Sequence, residues 1–244
     1  HDIRAVIMKD LRTFLRDPVQ WSQAVIFFGL LGLYFSNLHH FNYHVLPPRW
    51  RNMIAFFNVF SVSAVMCSLG SRFVYPQLSL EGQGFWILGL APTRMTRILF
   101  TKFVSAWLSL TVVSTGLMLL STRMLNTSPA VARVAVGLAA VESLVVCSLS
   151  TGLGAVFLDL EKRNPAAIVS GFGGTLNLVL NLVFMLAVIV PFGLVFHLRV
   201  VGLISPGGLR RGVLWATLWV CLLTLAATVI PLWLGARSLK QREF

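Results

Sequence analysis

Long apolar runs, separated by short polar stretches, are the main pattern along this chain. A run of about 20 apolar residues lets a helix cross a bilayer. The pattern therefore predicts six membrane-spanning helices, at Pro18 to Leu38, Asn52 to Val74, Phe103 to Thr122, Val134 to Leu158, Ile168 to Leu198 and Val213 to Leu234. The fifth run is longer than one crossing needs, and Pro191 and Gly193 predict a break within it. The predicted fold class is all-α, a polytopic membrane protein of about six transmembrane helices.

The first residues have a different, amphipathic pattern. One helical face carries Ile3, Ile7, Leu11 and Phe14, and basic side chains occupy the rest of the circumference. This arrangement predicts a helix lying at the membrane surface over residues 1–17, followed by one membrane domain over the rest of the chain.

The composition supports a membrane protein and argues against a soluble one. Of the 244 residues, 57% are hydrophobic and 11% are charged, whereas soluble domains have about 25% charged residues. A net charge of +12 in a soluble protein would suggest a nucleic-acid partner, but here the basic residues flank apolar runs. They are therefore expected to contact membrane lipid, and no nucleic acid is expected as a partner.

The basic residues also predict the orientation in the membrane. With six spans, 13 of the 20 Lys and Arg residues fall on the side that carries both termini. Because the side richer in Lys and Arg is normally cytoplasmic, both termini are predicted to be cytoplasmic in a multi-pass protein of the cell membrane.

Motifs for hydrolysis, metal binding or cofactors are missing from the sequence. It has no G-x-x-x-x-G-K-[ST] phosphate loop, no H-E-x-x-H and no G-x-S-x-G. His39, His40 and His44 lie close together, but no carboxylate or Cys accompanies them, so a solvated loop is favoured over a metal site. The chain is not expected to be an enzyme or to hold a cofactor or metal.

The loop after the second predicted span, residues 75–102, is the first candidate site. Ser79 is placed to cap a short helix with Glu81 in its first turn. Its exposed apolar side would carry Phe85, Trp86 and Leu88. Such an element can bind a partner protein, but periodicity alone favours the other interpretation, an interfacial helix whose Trp86 lies among lipid headgroups.

Three polar residues within the spans are the second candidate site. Glu142 is the only acid inside a span, where it either lines a substrate or proton path or is a protonated acid hydrogen-bonded between helices. Asn177 and Asn181 lie four residues apart on one helical face. Interhelical hydrogen bonding is the favoured role of these asparagines, and a place on the translocation path is the alternative.

The glycines of residues 170–175 admit two interpretations. A tight turn into a closely packed helix is favoured. Phosphate binding is the other, but no strand precedes the glycines and no Lys follows them.

Three sequence blocks together resemble a known family. They are Lys9 to Pro18 with Gln20, then Ser79 to Gly82 through Phe85-Trp86 to Ala91-Pro92 and Lys102, and finally Asn164-Pro165 followed by Ser170 to Gly174. In these blocks the chain resembles the permease subunits of ATP-binding-cassette (ABC) exporters of the type-2 kind.

The resemblance implies a six-helix membrane domain with a connecting helix before the first span. It also implies a coupling helix at Ser79 to Leu88 that docks on a separate ATPase subunit. Because such permeases are often about twice as long, the chain is expected to be a C-terminal half that pairs with a second membrane half or a second copy. An ion-coupled carrier or other intramembrane protein that uses Glu142 is the competing hypothesis.

Overall fold

The structure is a computed structural model that describes residues 8, 18, 21–26, 28–29, 32, 48–84, 95–124, 129–162 and 164–241. The predicted surface helix over residues 1–17 and most of the first predicted span, Pro18 to Leu38, lie outside these ranges.

The described residues fold as helices joined by short connections. The α-helices are α1 (Pro48–Leu69), α2 (Met95–Met124), α3 (Pro129–Val156), α4 (Pro165–Val169), α5 (Phe172–Val201) and α6 (Pro206–Gln241). A π-helical turn, Gly70–Val74, and two 3₁₀ segments, Tyr75–Gln77 and Ser79–Gly84, continue the chain after α1. Five helical stretches in this part of the chain are long and apolar enough to cross a membrane, which confirms the all-α, polytopic fold class.

The helices extend beyond the predicted spans. Helix α2 begins at Met95 rather than Phe103, and α6 covers 206–241 rather than 213–234. A helix of 36 residues is about 54 Å long, well above the roughly 30 Å of hydrocarbon. The apolar runs mark the part of each helix that lipid surrounds, and the charged ends continue as helix outside it.

The predicted break at Pro191 and Gly193 is wrong. Helix α5 continues through Pro191, although proline has no N–H to donate to the carbonyl of Ala187, four residues earlier. The indole Nε1 of Trp219, on α6, donates to this carbonyl instead, over 3.1 Å. The carbonyl of Ala187 therefore has a donor in spite of Pro191. The fifth predicted span is interrupted earlier instead, at the turn between α4 and α5.

Helix α6 contains the same arrangement. Pro231 leaves the carbonyl of Ala227 without its intrahelical donor. The hydroxyl of Ser148, on α3, lies 3.2 Å from that carbonyl and 2.9 Å from the carbonyl of Val145 in its own helix, so its one proton is shared between the two. Each internal proline in the two long helices is thus compensated by a side chain from a neighbouring helix.

Helix α3 is the centre of the bundle. Its buried side chains belong both to a core shared with α1, α2 and α5 and to a second core shared with α5 and α6. Small residues bring its backbone close to α6: a Cβ added at Gly235 would lie 2.8 Å from the Gly152 carbonyl oxygen. At Gly152 an added Cβ would overlap the backbone of Pro231. This approach is the close helix packing that small residues allow in membranes.

Candidate functional site

A nearly buried ion pair connects the first part of the predicted 75–102 loop to α2, whose first residues, 95–102, belong to the same predicted loop. Lys102 Nζ lies 2.7 Å from Glu81 Oε1, and the two side chains are 2% and 13% exposed. Charges this far from water are retained when they are paired. The pair therefore fixes the segment Ser79–Gly84 against α2.

Ser79 joins the same loop to the connection that follows α3. Its hydroxyl accepts a hydrogen bond from the backbone N–H of Asp159, with 3.1 Å between the two atoms. The sequence predicts a short helix that begins at Ser79 with Glu81 in its first turn. The described part of this helix is the 3₁₀ segment Ser79–Gly84, in which Gly82 has a left-handed φ of 52°.

An apolar cluster completes this end of the bundle. Leu78, at the loop, packs with residues of α2, α3, α6 and the α3–α4 connection, namely Leu99, Ala155, Leu239 and Leu158. Ser79 and Glu81 consequently face the protein interior. The other coupling residues predicted from the sequence, Phe85, Trp86 and Leu88, lie outside the described residues.

The connection between α3 and α4 has a local order that was not predicted from the sequence. Asp159 Oδ1 accepts the backbone N–H groups of Glu161 and Lys162, and Lys162 Nζ lies 2.9 Å from Asp159 Oδ2. The hydrogen bond from Lys162 is the main reason that the pKa of Asp159 is lowered. Asn164 then caps α4 by accepting the N–H of Ala166 over 3.0 Å. The Asp and Asn-Pro pattern was the available signal for this turn and cap.

Glu142 lies at the interface of α3 with α1 and is 1% exposed. The Ser63 side chain faces its carboxyl group. The Ser63 hydroxyl is close enough to interact with this carboxyl group, but the two do not form a hydrogen bond of regular geometry, and neither has another partner among the described residues. A buried acid with unsatisfied oxygens is energetically costly, so this position is a candidate for binding or proton transfer.

Asn177 and Asn181 belong to a different network, in which Asn181 Oδ1 lacks a hydrogen-bond partner among the described residues. The Nδ2 of Asn177 donates to Ser71 Oγ over 3.0 Å and to Ser150 Oγ over 3.2 Å. Asn181 Nδ2 donates to Asn177 Oδ1 over 3.1 Å, and both asparagines are fully buried. These bonds join α3 and α5 to the π-helical turn, so they favour a helix-packing role for the two asparagines. Among the described residues, no hydrogen bond connects Glu142 to the asparagines.

Metal binding finds no support in the described ranges. No group of three His, Cys, Asp or Glu side chains there is placed to hold a metal ion. The histidine group His39, His40 and His44 lies outside those ranges.

These helices, with their apolar surfaces and small-residue contacts, define an all-α polytopic membrane protein. Residues 1–244 match the family described as "Putative ATP-binding cassette", and the chain belongs to that family. Membership relates the chain to ABC transport. No curated protein and no solved structure matches it.

Proposed function

We propose that the chain is the membrane-spanning permease component of an ABC exporter, which moves its substrate by means of ATP hydrolysis in a partner subunit. Three observations support this proposal. The chain belongs to an ABC-related family, it has five apolar helices of membrane-spanning length in its described part, and its sequence has no phosphate-loop motif.

The observation that carries the proposal is the anchoring of the Ser79–Gly84 segment. This segment lies between two spans and is bonded to α2 through Glu81 and Lys102. The Ser79 hydroxyl also connects it to the α3–α4 connection. A force applied to this segment by a partner would reach α2 and α3 through short, buried contacts, as coupling between ATP hydrolysis and transport requires.

The inward positions of Ser79 and Glu81 divide the predicted coupling residues into two groups. Ser79 and Glu81 hold the segment in place, whereas Phe85, Trp86 and Leu88 make the contact with the ATPase. Aromatic side chains contribute most to such small interfaces.

Replacing Trp86 by Ala should weaken binding of the ATPase by about 30-fold, the effect of losing roughly 2 kcal/mol at an interface centre. The measurement is co-purification of the ATPase with the chain, together with substrate-stimulated ATP hydrolysis. Membrane insertion should be unchanged, because Trp86 lies outside every predicted span.

Trp21→Ala is the matched control, because Trp21 is 47% exposed and belongs to the first predicted span, outside the loop. It should leave ATPase binding at the wild-type level. If Trp86→Ala instead lowers stability while ATPase binding stays normal, Trp86 is a headgroup anchor and the coupling role is wrong.

The complete transporter would also need a second membrane half or a second copy of this chain. Several large apolar side chains of α6 are exposed, including Trp215, Leu222, Leu225 and Trp233. Lipid or this second half would cover them in a cell membrane, with both termini on the cytoplasmic side. The apolar spans suit an amphiphilic substrate.

An ion-coupled carrier is the second candidate, and the unsatisfied carboxyl oxygens of Glu142 favour it. The chain alone, in proteoliposomes with a pH-sensitive dye inside, should then carry protons when amphiphiles are added. Glu142→Gln should abolish that flux and leave assembly intact. The permease proposal predicts no flux without the ATPase and ATP, so one experiment separates the two functions.

A further inference from the structure

A cleft of about 610 Å³ opens between the α3–α4 connection and the start of α5. This volume is within the range of about 300–1,000 Å³ that is typical of small-ligand sites. Tyr75 directly follows the second predicted span, and Phe172 is the first residue of the apolar helix Phe172–Val201; both line the cleft. The cleft therefore lies near the level at which the helices leave the membrane, where lipid headgroups are found.

Hydrogen-bond donors line one part of the cleft. Helix α5 begins there after Gly171, and no side chain caps its first N–H groups. Tyr75 is only 3% exposed, and no hydrogen bond joins its hydroxyl to another described residue. The hydroxyl lies against Gly173, where a Cβ would overlap it. A helix N-terminus and a free hydroxyl together suit a phosphate group.

Two carboxylates, Asp159 and Glu161, also line the cleft and disfavour a purely anionic ligand. Asp159 is paired with Lys162, but the exposed Glu161 forms no ion pair within the described residues. Its negative charge would repel a lone phosphate and attract an ammonium group. The lining therefore matches a ligand that carries both a phosphate and an ammonium group.

Apolar side chains provide the remaining wall. Phe172 is 75% exposed, and its ring packs edge-on against that of Phe157, with 5.7 Å between the centroids. Ile168 lies beside them in the same lining. An aromatic side chain this exposed at the membrane boundary suits the start of an acyl chain.

We propose that this cleft binds a zwitterionic phospholipid with a primary ammonium group, phosphatidylethanolamine. The phosphate is bound by the first turn of α5 and the Tyr75 hydroxyl, the ammonium group by Glu161, and the acyl chains by Phe172. A primary ammonium donates hydrogen bonds to a carboxylate, which the quaternary ammonium of phosphatidylcholine cannot do. The inference stands on the cleft alone and does not depend on the proposed transport function.

Native mass spectrometry of the purified full chain tests this site, with phosphatidylethanolamine, phosphatidylcholine and phosphatidylglycerol added separately. Phosphatidylethanolamine should bind about tenfold more tightly than either other lipid. Glu161→Gln should remove this preference, and Tyr75→Phe should weaken phosphatidylethanolamine binding about fivefold, the effect of one lost hydrogen bond. Because Glu161 is exposed, its substitution tests the site even if Tyr75→Phe fails to fold.

Phe172→Ala should also weaken binding, whereas Phe100→Ala is the matched control. Phe100 is 60% exposed on α2 and does not line the cleft, so its replacement should change nothing. The proposal is overturned by equal binding of the three lipids, by a preference for phosphatidylglycerol, or by phosphatidylethanolamine binding that survives both Tyr75→Phe and Glu161→Gln. A photo-crosslinker at position 172 that captures only protein in native membranes would also overturn it.

Discussion

Gly152→Ala is expected to lower the stability of the purified protein by about 3 kcal/mol, the upper end of the usual cost of overpacking. The added Cβ would overlap the backbone of Pro231 and lie 2.8 Å from that residue's Cβ. Backbone atoms cannot turn aside as a flexible side chain can, so α3 and α6 would have to move apart. The movement would also disturb the hydrogen bond from Ser148 to Ala227.

Gly137→Ala is the control for this prediction, because Gly137 is in the same helix and a Cβ there would meet nothing within 4 Å. Alanine has the higher helix propensity, by up to about 1 kcal/mol, so this variant should be as stable as the wild type or slightly more so. Thermal unfolding in one detergent compares the two. Equal melting temperatures for the two variants would show that the contact of α3 with α6 is looser than described.

Lys102→Met is expected to destabilise the protein by about 2 kcal/mol. Breaking a fully buried ion pair costs about 3–5 kcal/mol, because one charge is left without a partner. Glu81 remains 13% exposed, so water offsets part of this cost. The segment Ser79–Gly84 should also become more accessible to proteases, which limited proteolysis of the purified protein would measure.

Two further variants separate the ion pair from other effects of losing Lys102. Glu81→Gln combined with Lys102→Met should recover part of the stability, since the uncompensated charge is then absent. Lys162→Met is the matched control: it breaks the pair with Asp159, whose side chains are 47% and 34% exposed, and should cost at most about 1 kcal/mol. A Lys102→Met variant as stable as Lys162→Met would contradict the structural role of the buried pair.

The spans could be predicted from the sequence because each depends on a local property, a run of apolar residues. The helix ends could not, since the helical backbone of α2 and α6 continues past the apolar run into charged residues. The break expected at Pro191 was wrong for a tertiary reason. The donor that satisfies the Ala187 carbonyl is Trp219, on another helix, and local sequence cannot indicate it.

In the candidate sites, too, local features could be predicted from the sequence, whereas contacts between distant segments could not. The position of Ser79 and Glu81 in a loop could be predicted, but their inward direction depends on Lys102 and Asp159, which are distant in sequence. The spacing of four residues places Asn177 and Asn181 on one helical face. Their partners Ser71 and Ser150 belong to other helical segments, which the spacing does not indicate. The cleft beside Tyr75 is formed by three separate segments, and no single one of them indicates it.

The two proline-compensating bonds make the backbone hydrogen bonding of one helix depend on the position of the next. An ordinary helix maintains its shape with its own backbone bonds, but α5 at Pro191 relies on Trp219 of α6, and α6 at Pro231 relies on Ser148 of α3. A movement that withdraws either donor leaves a carbonyl without a hydrogen-bond partner, which costs about 1–3 kcal/mol for a buried group. Helices α3, α5 and α6 thus form a linked series, in which displacement of one removes a hydrogen bond from the next.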